Sequence, residues 1–288
     1  MTAPAVVRAV RPRQWVKNGL VLAAPLAAGR VDEPEVLART ALAFVVFCLA
    51  ASSVYLINDV RDVEEDRRHP TKRTRPIAAG EISESTAYVL AGVLVAAALA
   101  LGFLVAVRLG ITVAVYLAVQ LGYAGGLKHQ PVMDLACVAS GFLLRAIAGG
   151  VASDIPLSPW FLLVASFGSL FMVAGKRYSE IHAIGAGAGT RRSLEYYSES
   201  YLRFIWSMAA SVTVVAYSLW AFGRGLPRSG DPMWEQISVA PFTLALLRYA
   251  VDIDRGSAGA PEDIAFKDRI LQALAVAWVV IIAVAVYA

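Results

Sequence analysis

The chain has 288 residues, of which 58% are hydrophobic and 17% charged, where a soluble domain carries roughly 45–50% and 25%. With a mean hydropathy of +0.61, neither a soluble enzyme nor a disordered chain fits, and the composition is that of an integral membrane protein. The formal net charge is +4, but the basic residues lie in short strips between apolar runs rather than along one exposed face, which argues against a nucleic-acid binder.

In chain order, Arg8, Arg11, Arg13 and Lys17 precede the apolar stretch Gly19 to Gly29. The strip RPRQWVKN, with Trp15 and Asn18, points to a short first membrane helix over 15–29 rather than a cleaved leader. A helix needs roughly 20 apolar residues to cross a hydrocarbon core of about 30 Å. Clear spans are expected at 38–57, 86–107, 110–127, 134–152, 159–175, 203–222 and 270–288, and a weaker one, interrupted by Pro241, at 237–251. The expectation is therefore an all-α membrane protein of nine helices in a single domain, 1–288. Cys48 and Cys137 both fall inside apolar runs and read as inert core thiols.

Lys and Arg set the orientation. One set of helix ends holds twenty of them and the other five, Arg30, Arg39, Arg108, Arg224 and Arg228. This predicts a cytoplasmic amino terminus and an external carboxyl terminus. Arg145 stands apart, some ten residues inside the fifth of the nine spans, 134–152. A buried arginine is costly without partners, so it is read as facing a functional cavity, with structural pairing as the alternative.

The strip after the second span, YLINDVRDVEEDRRHPTKRTRPIAAGEIS, is the richest in chemistry. Asn58, Asp59, Asp62 and Asp66 fall at offsets that place Asn58, Asp62 and Asp66 on one helix face with Asp59 beside them. Carboxylates sharing a face repel unless a cation bridges them. Hard oxygen ligands suit Mg²⁺, which is usually held by one or two carboxylates together with substrate phosphates. The basic run that follows, including Lys72 and Arg75, supplies cations for outer phosphate oxygens. The plainer alternative is a solvated acidic helix end balanced by those cations.

NDVRDVEED reproduces the NDxxDxxxD pattern of the UbiA superfamily of intramembrane prenyltransferases, and it stands after the second span, where that family places it. The resemblance implies a nine-helix bundle whose cytoplasmic loops grip a Mg-diphosphate with two Asp-rich motifs. The second motif departs from the family pattern: the residues after the sixth span are GKRYSEIHAIGAGAG, with Lys176 and Arg177 where carboxylates belong. RPRQWVKN, the acidic strip and GKRYSE together resemble the branch of the superfamily that moves a phosphoribosyl group from phosphoribosyl pyrophosphate (PRPP) to a polyprenyl (decaprenyl) phosphate. That branch supplies arabinan precursors for the cell wall. The implied enzyme is a multi-pass protein of the cell inner (plasma) membrane, with its active site facing the cytoplasm and a homo-oligomer as an open option.

On this resemblance, Asn58, Asp59, Asp62 and Asp66 would hold Mg²⁺, and Asp59, Asp62, Asp66 and Lys128 would carry the catalytic step. Lys17, Asn18, Tyr55, Lys72, Arg75, Tyr123, Lys128, Arg145, Lys176 and Arg177 would bind substrate phosphates. Each has a plainer reading as core, interfacial anchor or positive-inside charge. His69, His129 and His182 lack metal-site spacing, and Gly185 to Gly189 has neither a preceding strand nor a following GKS or GKT, so it reads as a hinge or lid. Two rivals stay open: transfer of an isoprenoid chain to an aromatic acceptor, and a polytopic transporter. The missing second Asp motif argues against the first, and charge gathered at one face rather than at midplane argues against the second.

Overall fold

The computed structural model describes residues 4–184, 197–223, 233–259, 264 and 267–287, which are helical or irregular with no strand among them. Among the described residues seven helices are long and apolar enough to cross a bilayer. They are α3 (Pro34–Arg61), α5 (Glu84–Val105), α6 (Val107–Gly125), α7 (Met133–Ala152), α8 (Pro159–Ile184), α9 (Glu199–Gly223) and α11 (Arg269–Tyr287). Shorter helices are α1 (Ala5–Ala9), α2 (Ala23–Ala27) and α4 (Val63–Arg68). α10 (Met233–Asp254) is 22 residues long but carries Glu235, Arg248, Asp252 and Asp254, and Pro241 lies inside it.

Of the two weaker segments, 237–251 lies within α10, whereas 15–29 differs from expectation. Residues 15–29 do not form one α-helix: Pro12–Leu22 is a 3₁₀ helix of 11 residues, followed by the five residues of α2. At about 2.0 Å per residue the tighter helix reaches roughly 22 Å, further than an α-helix of the same length. The Val21 carbonyl oxygen would lie only 1.7 Å from a Cβ at Gly149 of α7, so the two backbones approach as closely as they do because Gly149 has no side chain.

Contacts divide the chain into two compact units. The first is Met1–Leu26, Arg30–Leu127 and Leu144–Pro156; the second is Ala27–Gly29, Lys128–Leu143 and Leu157–Ala288. In the first unit α3 packs against α5, α6 and the 3₁₀ helix, and Val46, Phe47, Ala50, Leu109, Val113 and Tyr116 form its main apolar cluster. In the second, α8 packs on α9, and α10 on α8, α9 and α11, around Phe171, Tyr178, Leu202, Tyr249 and Ile253. Val89, Val93 and Leu104 of α5 and Val276, Val279 and Val280 of α11 are exposed. Such aliphatic surfaces suit lipid rather than water.

α3 positions the chemistry of the first unit. Pro34 opens it at a position where its missing N–H costs nothing, and it is the most buried of the seven spans. Its 28 residues extend roughly 42 Å at 1.5 Å per residue, past the hydrocarbon core of about 30 Å. Its last two turns are therefore free to be polar, and they carry Tyr55, Asn58 and Asp59.

Candidate functional site

The helical path continues through Asp62, whose N–H donates to the Asn58 carbonyl at 2.9 Å while its own carbonyl accepts from Asp66 N–H at 2.8 Å. Asp62 nonetheless ends α3 with ψ near 10°. Asp59 and Asp66, seven residues apart, come to one face two turns apart, and both are buried. Arg75 Nη1 donates to Asp59 Oδ1 at 3.1 Å and to Asp66 Oδ2 at 2.5 Å. Lys72 Nζ stands 4.0 Å from Asp66 Oδ1. The pair that shares a cation is therefore Asp59 and Asp66, in place of the expected stack of Asn58, Asp62 and Asp66. Asn58 and Asp62 are half-buried beside it.

Among the described residues no group of three or more His, Cys, Asp or Glu stands close enough to hold a metal. Two carboxylates converging on one cationic nitrogen do fit the mode in which Mg²⁺ uses one or two carboxylates and takes its remaining ligands from substrate. Asp59 and Asp66 are the residues that meet this test.

Arg11 belongs to the basic strip that precedes the first apolar stretch, and the structure assigns it more. It donates to Asp59 Oδ1, and its guanidinium lies 5.1 Å from the Tyr55 ring centroid. Its backbone is left-handed, φ 53° and ψ 62°, immediately before Pro12. A non-glycine residue there, already restricted by the proline, carries a cost of order 1–3 kcal/mol. Neighbouring contacts hold it: Ser52 Oγ donates to the Val10 carbonyl at 3.0 Å and accepts from Trp15 Nε1 at 3.1 Å. A charged residue in an RP dipeptide at a helix entrance was the available signal.

Arg145 is packed into the first unit's core. Its Nε donates to Asn18 Oδ1 at 2.7 Å and its Nη2 to Tyr116 Oη at 3.1 Å. The Tyr116 and Phe47 rings lie 5.0 and 5.8 Å from the guanidinium carbon. Asn18 is fully buried, with Nδ2 donating to Cys48 Sγ at 3.2 Å, so its carboxamide serves Arg145 inside the unit. Lys17 Nζ donates to Gln14 Oε1 at 2.6 Å, and Tyr123 is half-buried in the last turn of α6.

The second unit holds a different cluster. Asp134, in the first turn of α7, is fully buried. Its Oδ1 accepts from Tyr197 Oη at 2.5 Å and its Oδ2 from Arg177 Nε at 3.2 Å. Arg177 Nη1 also donates to Glu180 Oε2 at 2.8 Å, and Lys176 Nζ lies 4.0 Å from Glu180 Oε1. Tyr197 Oη accepts in turn from Val132 N–H at 2.6 Å. Burial, and then the hydrogen bond to Asp134, push the Tyr197 hydroxyl well above the ordinary tyrosine value, so it remains a donor. Lys128 is half-buried in the short 3₁₀ turn Leu127–His129.

Cys48 and Cys137 are buried and unbonded to each other, as expected. His69 Nδ1 accepts from the Thr71 and Lys72 amides, and His182 stacks on Tyr178 with its Nδ1 3.6 Å from Glu199. The glycine-rich stretch 185–189 lies outside the described residues.

Apolar spans that end in a buried acid pair shared between arginines, with a second buried charge cluster at α7 and α8, define a polytopic helical membrane transferase. The chain belongs to the UbiA prenyltransferase family, whose model matches residues 19–271. Decaprenyl-phosphate phosphoribosyltransferase of Mycolicibacterium smegmatis is 58% identical to it, over 98% of this chain and 92% of that protein. The protein of the same name from Corynebacterium glutamicum is 54% identical, over 99% of this chain and 87% of its own length. Among solved structures, a UbiA homolog from Archaeoglobus fulgidus bound to DMAPP and Mg²⁺ superposes with a TM-score of 0.75 over 97% of each chain, at 17% identity. That likeness establishes the fold.

Proposed function

We propose that the chain transfers the 5-phosphoribosyl group of PRPP to a polyprenyl phosphate, decaprenyl phosphate by the name its relatives bear, and releases pyrophosphate. The observation that carries this reading over aromatic prenyl transfer is 58% identity across nearly the whole of a protein so named. Lys176 in place of a carboxylate of the second acidic motif agrees with it, because donor and acceptor together bring a diphosphate and two monophosphates.

Asp59 and Asp66 would hold Mg²⁺, with Asn58 and Asp62 as its further expected ligands. When bound, the metal neutralises the diphosphate and stabilises it as a leaving group. Arg75, Lys72 and Arg11 stand at the same carboxylates and orient phosphate oxygens against developing negative charge. Lys128 and Lys176 serve as further phosphate ligands. The lipid phosphate is anionic at neutral pH and needs no general base. Its oxygen attacks ribose C1 as the C1–O bond to pyrophosphate breaks, and attack from the opposite face inverts the anomeric centre.

We place the amino terminus and the Asp59 cluster on the cytoplasmic side of the plasma membrane, in a nine-segment arrangement that counts 15–29 and α10, on the strength of the Lys and Arg asymmetry. The product would feed cell-wall arabinan synthesis.

The test uses purified protein in detergent with Mg²⁺, radiolabelled PRPP and decaprenyl phosphate, followed by organic extraction. Label should enter the lipid and be lost with EDTA and in Asp66→Asn. Folded protein that transfers no label would overturn the reading, and aromatic prenyl transfer would be assayed next.

A further inference from the structure

Val132 lies in the left-handed region, with φ 67°. For a β-branched residue this is a genuine outlier, and such strain persists only where surrounding contacts over-determine it. Here the contact is explicit: the Val132 N–H donates to Tyr197 Oη, and the same hydroxyl donates to buried Asp134 two residues further along the chain. Asp134 also holds Arg177, whose neighbour Lys176 approaches Glu180, the second carboxylate on Arg177. One tyrosine hydroxyl thus ties together three segments of the second unit. These are the 128–134 connection that carries Lys128, the end of α8 that carries Lys176, and the entry to α9. Stacking of Tyr197 on Tyr201, at 5.7 Å and 5° between rings, fixes the tyrosine from the α9 side.

We propose that Tyr197, Asp134 and Arg177 form a positioning lock that stands in for the missing second Asp-rich motif, fixing the Lys128 turn and the Lys176 helix end for recognition of the lipid acceptor's phosphate. The proposal rests on the phosphoribosyl-transfer reading above. Asp134 supplies the carboxylate at this helix end from α7 instead of α8, and it holds the protein's own arginine. None of the three is assigned contact with substrate; they are positioning residues. The strained Val132 peptide is the element the lock holds, because it sits between Lys128 and Asp134 in a connection only a few residues long.

The test measures full-length protein in nanodiscs, wild type against Tyr197→Phe. Hydrogen exchange should speed up in residues 128–134, and the KM for decaprenyl phosphate should rise about tenfold, the scale of a small misplacement of binding groups. The KM for PRPP should stay within about twofold. Val132→Gly, which takes the left-handed conformation without strain, should be well folded and should shrink the effect of Tyr197→Phe when the two are combined, a coupling that a double-mutant cycle reads. An unchanged acceptor KM, unchanged exchange in 128–134, or a uniform loss of active protein with no split between the two KM values overturns the lock. The failures are separable: a wild-type protein that transfers no label removes the phosphoribosyl reading, and the exchange measurement still tests the lock.

Discussion

Two buried carboxylate sites, one in each unit, use the same residue types to different ends. Asp59 and Asp66 face arginines that are partly solvated: the Arg11 and Arg75 side chains are 26% and 29% exposed. Asp134 faces Arg177, which is 5% exposed. In a half-solvated pair a cation can exchange, because water covers the departing charge. In a fully buried pair neither partner can leave without stranding the other in a low dielectric. If Asp59 and Asp66 hold Mg²⁺ as proposed, exposure of the arginine separates the site that trades one cation for another from the site that stays fixed.

The sharpest way to break this comparison is to neutralise an acid on each side. Asp59→Asn keeps shape and hydrogen-bonding capacity but removes charge, so phosphoribosyl transfer should fall by at least about 10³-fold, with thermal unfolding little changed. Single-turnover label transfer alongside a melt checks both. Asp134→Ala should do the reverse in kind, destabilising the fold by about 3–5 kcal/mol, because it leaves a buried guanidinium short of a carboxylate. The double variant Asp134→Leu, Arg177→Met should cost less than either single change, since a buried pair replaced by apolar residues is close to neutral. A double variant as unstable as the sum of its parts would show that the cost lies in the contacts to Tyr197 and Glu180 rather than in the charge pair.

How far these sites were legible in the sequence depends on sequence distance. The seven long spans follow from unbroken apolar runs, and the acid strip follows from spacing within nine residues. α7 and α8, by contrast, are linked through Asp134 and Arg177, 43 residues apart, and no local pattern pairs them. An acid in the first turn of an apolar helix, just after Pro131, was the one signal that Asp134 needed a buried partner. Asn18 and Arg145 show the same limit. Each was recognised as unusual, but only packing across 127 residues shows that the first is the acceptor for the second. The close approach of Val21 to Gly149 was illegible for a related reason, since the two lie 128 residues apart in the chain.

A smaller effect separates Arg11 from Arg75. Arg75 touches both acids, whereas Arg11 touches Asp59, so Arg11→Gln leaves Asp59 one guanidinium. Loss of one charge-assisted hydrogen bond is worth about 1.5–3 kcal/mol, and transfer should drop roughly tenfold or somewhat more, with partial recovery in Arg11→Lys. Steady-state kinetics on the three proteins decide it. Equal losses in Arg11→Gln and Arg75→Gln would remove the distinction between a bridging arginine and a flanking one.

The smallest effect lies at the start of α11, where a carboxylate accepts from the first amides of the helix. Asp268 Oδ1 accepts from the Leu271 and Ile270 amides at 3.1 and 2.9 Å, and Arg248 Nε stands 2.8 Å from its Oδ2. The Leu271 amide foremost, with the Arg248 charge and the Ile270 amide, outweighs partial burial and holds the carboxyl below the usual aspartate range. A carboxyl whose pKa is lowered by folding adds stability that is present above the unfolded value, near 3.9, and is lost as pH falls through the folded value. The melting temperature of wild type should therefore exceed that of Asp268→Asn by a constant margin between pH 7 and 5, and the margin should close only below about pH 4. A margin that closes between pH 7 and 5 would assign the effect to another group. An Asp268→Asn protein that melts with wild type at every pH would show that the amide contacts at the helix start hold equally well without the charge.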